Sequence, residues 1–193
     1  MRPTRSHRRT WLLLVGFLGL VLVADLFWLR RWWRGRQEQR AAPYIHAAAR
    51  LHGLDPALVK AVVWRESRFD PSARGGAGEL GLMQVGEIAG QEWADEQGVA
   101  GYRHEHLLDP ATNTLAGAWY LAKVSRRYGV TDDPAAYGLA DYNAGRANVL
   151  RWQRGPAATN SAAFLVQMDF PGTREYVRAT LKKREEYRAA GRQ

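Results

Sequence analysis

The stretch PALVKAVVWRESRFDPSARGGAGELGLMQ, residues 56–84, decides how the rest of the chain is read. Its first twelve residues form a helix on pattern alone. Pro56 is tolerated in a first turn, Asp55 before it is a natural N-cap, and Leu58, Val62 and Glu66 recur at four-residue spacing on one stripe. Turn signals after Phe69 and the proline at Pro71 end the helix, so Glu66 falls in its last turn. There the negative end of the helix dipole disfavours ionisation, and partial burial acts in the same direction. A carboxyl raised toward about 6 is what a general acid at neutral pH requires. Helix geometry by itself favours a plainer reading, a surface Glu66 paired with Arg65 or Arg68. The glycines from Gly75 to Gly81 then predict a turn with unusual backbone angles directly before Gly81-Leu82-Met83-Gln84.

Outward from this stretch the periodicity stays helical, over Pro43 to Leu51, Thr112 to Tyr128, Pro134 to Asn143 and Thr173 to Arg188. Pro43 and Pro134 suit first turns, and Asp133 is a second N-cap. No alternating strand pattern and no internal repeat is found. The chain has no cysteine, which excludes disulfide scaffolds, thiol catalysis and Cys-ligated zinc. His46, His52, His104 and His106 lack the spacing of a metal site, so no metal and no cofactor is expected.

The net charge of +9 invites a nucleic-acid reading until its location is considered. Residues 1–40 carry nine arginines against Asp25 and Glu38, a balance of +7, and the remaining 153 residues carry only +2. The basic residues flank an apolar run from Trp11 to Leu29, interrupted only by Asp25. At about 1.5 Å per residue such a run nearly matches a hydrocarbon core of about 30 Å. Trp11 at one end and Trp28, Trp32 and Trp33 at the other suit the two interfaces. The expected organisation is a basic N-terminus over 1–10, a transmembrane anchor over 11–29, a polar basic linker over 30–42 and a helical domain over 43–193. A signal peptide cleaved after Ala24, giving a secreted protein, is the alternative. Nucleic acid is not an expected partner.

The motifs around Glu66 resemble those of the soluble, lysozyme-like lytic transglycosylases. Glu66-Ser67 is followed by Phe69-Asp70-Pro71, Gly78 and Gly81-Leu82-Met83-Gln84, with fifteen residues from Glu66 to Gly81. Asp109-Pro110 with Asn113, Gly117 and Tyr120-Leu121 comes next, then Tyr142-Asn143-Ala144-Gly145 with Val149 and Arg151-Trp152, and finally Thr173-Arg174-Glu175-Tyr176-Val177. The resemblance covers about residues 50–181. It departs at Glu79, where the family usually has Ala, after Gln84, where a Pro is usual, and at Asp141, which replaces a small residue and brings a second carboxylate toward the suspected cleft.

The resemblance implies a mainly α fold, a lysozyme-like (goose-type) helical domain, here preceded by a transmembrane helix. It implies an enzyme acting on peptidoglycan glycan strands, with the domain outside the cytoplasmic membrane, and a monomer is expected. Glycosidases usually need two carboxylates. The family is an exception, in which one Glu protonates the oxygen between N-acetylmuramic acid and N-acetylglucosamine and then takes the proton of the sugar's own 6-hydroxyl, leaving a 1,6-anhydro end. Glu66 is thereby assigned as the catalytic acid and base. Ser67, Met83, Gln84, Tyr142, Asn143 and Tyr176 are carried over as substrate-binding candidates: the Gln84 amide on the sugar, the Met83 thioether on an apolar side of the cleft, Ser67 and Asn143 tying backbone, and core packing as the competing role of Met83 and Tyr176. Trp64, Trp93, Trp119 and Trp152 are expected mostly in the core. Two rivals are a lysozyme-like hydrolase using water with Asp70, Glu79 or Asp141 as second carboxylate, and a non-catalytic peptidoglycan-binding domain.

Overall fold

The computed structural model describes the backbone of residues 5–191 and the side chains of residues 19–29 and 31–191. The chain divides into two units, residues 1–40 and 41–193. The first unit is helical from Arg5, the start of α1 (Arg5–His52). Leu22, Val23, Phe27, Trp28, Leu29, Trp32 and Trp33 are all exposed on it, and the Arg36 guanidinium lies over the Trp32 ring at 4.5 Å. Among the described residues no helix is long and apolar enough to cross a membrane. The segment expected to do so falls in part on residues 11–18, whose side chains are outside the described ones.

One local expectation fails in α1, that of Pro43, and the expected linker takes a regular backbone. Residues 30–42, read as a linker, are helical, because Gln37 to Ala42 are strong helix formers and Gly35 alone opposes them. Pro43, read as a first-turn residue, lies inside the helix. An interior proline removes one backbone bond and costs about 3 kcal/mol. Burial of Ala41, Ile45, Ala48 and Ala49 along the same stretch opposes that cost.

In the second unit α2 (Pro56–Ser67), α4 (Pro110–Arg126), α5 (Pro134–Ala144) and α8 (Pro171–Ala190) make the frame, with α2 packed on α8, α4 on α5 and α5 on α8. The shorter α3 (Glu87–Glu96), α6 (Arg146–Trp152) and α7 (Ser161–Gln167) and two 3-10 turns (His104–Leu108, Gly155–Ala158) close its sides. Asp55 caps α2 and Asp133 caps α5 through their carboxylates, as expected, and the Asp109 carboxylate and the Asn160 amide oxygen cap α4 and α7. Val59, Val62, Leu82, Leu121, Leu139, Trp152 and Phe164 are fully buried in the core. Tyr128, Tyr137 and Phe164 stack through it with centroids 5.7 and 4.0 Å apart. The described residues contain only isolated β-bridges, Arg74 with Leu80 and Leu80 with Val85, which pin the glycine loop onto itself.

The turn that carries residues 81–84 is held by one buried side chain. Asn113, on α4, accepts from the Met83 amide at 2.8 Å and donates to the carbonyls of Leu80 and Leu107, both at 2.7 Å. Both amide donors and the amide oxygen are thus engaged in a site with no solvent exposure. Gly81 sits at φ +74 with the Asn113 amide and the Leu107 carbonyl pressed against its Cα, so no side chain fits there. Arg68, Phe69 and Gln84 also take positive φ, which costs a non-glycine residue about 1–2 kcal/mol each. Three such residues lie on the two segments that bound one cleft.

Candidate active site

That cleft has a volume of about 750 Å³ and is lined by Glu66 from the end of α2, Glu79 and Gln84 from the glycine loop, Glu87 and Ile88 from α3, and Tyr120, Tyr142 and Asn143 from α4 and α5. Glu66 is half-buried in its wall and not on the open surface, and the hydrogen bond it accepts comes from neither neighbouring arginine. Its Oε1 accepts a hydrogen bond of 2.6 Å from the hydroxyl of Tyr176, a residue of α8 that is itself buried. Arg65 lies over the Tyr176 ring, 5.3 Å from its centroid.

Burial pushes the Glu66 carboxyl above its ordinary range. The Tyr176 hydroxyl and the Arg65 charge oppose that rise, and the negative charge of Glu79 adds to it. Tyr142 and Tyr176 are both raised well above the usual phenol range by burial and by the Glu66 charge, so both hydroxyls stay protonated and donate. The result is a carboxyl favoured as the neutral acid, yet supplied with a donor that stabilises its anion. Such a group can give up a proton and take one back.

The other predicted site residues separate into those that face the cleft and those that hold its walls. The Ser67 hydroxyl donates to the Leu82 carbonyl at 2.8 Å, tying the end of α2 to the loop. The Tyr142 hydroxyl donates to the Met83 carbonyl at 2.8 Å while its ring remains in the cleft wall. Gln84 lines the cleft, but its amide nitrogen donates to the carbonyls of Ala73 and Gly81 and so is spent within the loop. Met83 is corrected from a cleft-lining residue to a core residue: it is fully buried, packed so tightly against α4 that a Cβ on Gly117 would stand 2.6 Å from its sulfur. Tyr176 is buried behind Glu66, where it contacts the carboxylate. Asn143 is exposed on the rim, and the turn after α5 is held instead by the Asn148 amide on the Ala144 carbonyl at 2.7 Å.

Asp141 does not approach the cleft as expected. It is 1% exposed and its Oδ2 accepts from the Arg127 guanidinium at 2.9 Å and the Tyr128 hydroxyl at 2.6 Å. Asp70 likewise turns away, accepting from the amide and hydroxyl of Ser72. Tyr120 was not singled out for the site, although its ring packs 5.5 Å from that of Tyr142 on the cleft wall. The available signal was the stripe Tyr120, Lys123, Arg127, the partly open side of a helix otherwise buried nearly all round. Trp93, Trp119 and Trp152 are buried and Trp64 is half-buried, with none of them lining the cleft.

Comparison with known proteins finds relatives in sequence and in fold. The transglycosylase SLT domain model matches residues 43–165. The membrane-bound lytic murein transglycosylase F of Desulfosudis oleivorans is 37% identical over 113 residues, which cover 57% of this chain and 23% of that protein. The 70 kDa soluble lytic transglycosylase of Escherichia coli superposes with a TM-score of 0.63 at 29% identity, over 70% of this chain and 22% of that one. An inactive mutant of the lytic transglycosylase Slt from Pseudomonas aeruginosa gives 0.66 at 26% identity, over 74% and 23%. The chain therefore spans about a quarter of the length of the relatives it matches.

Proposed function

The chain belongs to the transglycosylase SLT domain family, and on that footing we propose that it is a peptidoglycan lytic transglycosylase that cleaves the bond from N-acetylmuramic acid to N-acetylglucosamine and leaves 1,6-anhydro ends. The observation that carries this reading is Glu66, a half-buried carboxyl raised by desolvation and hydrogen-bonded through Oε1 to Tyr176 in the wall of a cleft of about 750 Å³. Protonated Glu66 donates to the bridging oxygen as the C1–O bond breaks. The carboxylate so formed is stabilised by the Tyr176 hydroxyl and accepts the proton of the sugar's 6-hydroxyl, whose oxygen closes onto C1. Tyr142 and Tyr120 supply aromatic wall for the sugar rings, and Gln84, Asn143 and Ser67 supply its polar edge or hold it in place.

Mass spectrometry of digested sacculi tests the proposal. Soluble fragments ending in 1,6-anhydromuramic acid are expected with the protein and none with Glu66→Gln, which keeps the shape and the Tyr176 contact and removes the acid. Unchanged digestion by Glu66→Gln would refute the site, and a purely peptidoglycan-binding protein would release no fragments at all.

The location proposed is the cytoplasmic membrane, with residues 11–29 as a single-pass anchor and the domain on the outer side, where the substrate lies. The exposed apolar and tryptophan-rich surface at residues 20–29, 32 and 33, with Arg31, Arg34 and Arg36 beside it, supports this. Protection of the domain from protease added to intact spheroplasts would contradict it.

A further inference from the structure

We propose that Glu79 is a second catalytic carboxylate, which activates a water molecule and gives this cleft a hydrolytic branch beside its anhydro-forming one. The inference rests on the transglycosylase reading of Glu66. A single-carboxylate mechanism has no use for another acid at the reacting centre, so the place of each remaining acid is informative. Asp70 closes a turn on Ser72 and Asp141 is buried against Arg127 and Tyr128. Of the three acids that sequence alone allows for a second carboxylate, Glu79 is the one that lines the cleft with Glu66.

Its side chain is placed there by the loop. One carboxylate oxygen, Oε2, accepts from the Ala77 amide at 3.0 Å, which fixes the group while leaving Oε1 for another partner. Gly75 makes room for it: a Cβ at that position would overlap Glu79 Oε2 and stand 2.8 Å from Gln84 Oε1. The carboxylate and the amide oxygen therefore cross the same bare Cα, side by side at the cleft wall. No cation is paired with Glu79 among the described residues, whereas Glu92, farther along the wall, is bound to Lys123 at 2.6 Å. An anchored carboxylate with an open oxygen beside an amide acceptor is a site that can hold a water and take its proton.

In this branch Glu66 gives its proton to the leaving oxygen as the C1–O bond breaks. The water oxygen bonds to C1, one water proton passes to Glu79, and the product is a reducing muramic end. Water is the only added reactant, and the cycle closes when Glu79 gives its proton to solvent and Glu66 takes one back from it. The 6-hydroxyl and the water compete for the same carbon, so the ratio of anhydro to reducing ends measures the role of Glu79.

The experiment is digestion of sacculi by the full-length protein in water enriched in heavy oxygen, followed by mass spectrometry of the ends, with Glu66→Gln as background. Unlabelled anhydro ends and labelled reducing ends are both expected above that background. In Glu79→Gln, and again in Glu79→Ala, the ratio of labelled to anhydro ends should fall at least about tenfold. A ratio unchanged in both variants, or no labelled ends from the unaltered protein, overturns the proposal. Labelled ends without any anhydro ends would overturn the transglycosylase reading instead, so the two failures are told apart.

Discussion

Replacement of Asp141 by Asn should destabilise the domain by about 2 kcal/mol, because Oδ2 accepts from both partners and a neutral amide oxygen in its place accepts the same two bonds without the charge that strengthens them. The carboxylate is 1% exposed and takes bonds of 2.9 Å from Arg127 and 2.6 Å from Tyr128. Loss of charge weakens each bond by roughly 1 kcal/mol. The Arg127 part of that loss is softened, since its side chain is 30% exposed and can turn to water. The Tyr128 part is not, since that hydroxyl is buried and burial together with the Asp141 charge keeps it protonated. Tyr128→Phe removes the second donor, so the Asp141→Asn penalty measured on a Tyr128→Phe background should shrink by about 1 kcal/mol. Urea denaturation of the four proteins gives the cycle. Asp141 immediately precedes Tyr142, whose hydroxyl ties α5 to the Met83 carbonyl, so kcat should also fall several-fold while its pH profile keeps its shape. An Asp141→Asn penalty below about 0.5 kcal/mol, or no coupling to Tyr128, would refute the account of this cluster as a buried charge-assisted pair.

Further outcomes follow from Glu66 and from Asn113. The Glu66 carboxyl is raised in the folded protein, so its contribution to stability is fully present below the ordinary carboxyl range and is lost as pH rises through the raised value. Glu66→Gln should therefore be more stable than the unaltered protein at neutral pH and should show no such gain near pH 4, read as Tm against pH; a gain that does not vary with pH would contradict the shift. Tyr176→Phe removes the donor that favours the anion, so the acid should stay protonated to higher pH and the alkaline limb of the rate profile should move upward, with kcat reduced. A limb that stays in place or moves down would show that the hydrogen bond does not govern Glu66. Asn113→Ala strands the Met83 amide and two carbonyls in the core and should cost about 3–5 kcal/mol by denaturant titration; a loss under about 1 kcal/mol would mean the loop is held elsewhere.

Much of the frame is legible in the residue pattern because its helices carry local signals. α2 begins and ends where Asp55, Pro56 and the turn after Ser67 say it should, and α5 begins after Asp133 for the same reason. What escaped has physical causes. α3, α6 and α7 are seven to ten residues long, too short for a repeating stripe to stand out. The run from Gln37 to Pro43 carries contradictory signals, strong helix formers ahead of a proline, and the helix prevails through it. Asp141 was assigned to the wrong side because residues 136–141 of α5 are all buried, and a helix with no exposed face gives no phase from which to tell where a side chain points.

The site divides along the same line. Glu66 could be placed on its helix from sequence, and its neighbours in the cleft wall follow from the ordered motifs around it. The hydrogen bond from Tyr176 could not, because it joins residues 110 positions apart and exists only because α2 packs against α8. That contact changes what Glu66 is. Burial alone would make it a stubbornly neutral acid, able to give a proton but poor at carrying the charge that remains. With a 2.6 Å donor on Oε1 the anion is supported at the moment it forms, and the same oxygen pair can then accept the second proton. Glu79 bears on the balance from the other direction, since its charge raises Glu66 and so favours the acid form at the start of the cycle. In the anhydro-forming branch Tyr176 and Glu79 thus act on opposite halves of one turnover, and removing each should slow a different proton transfer.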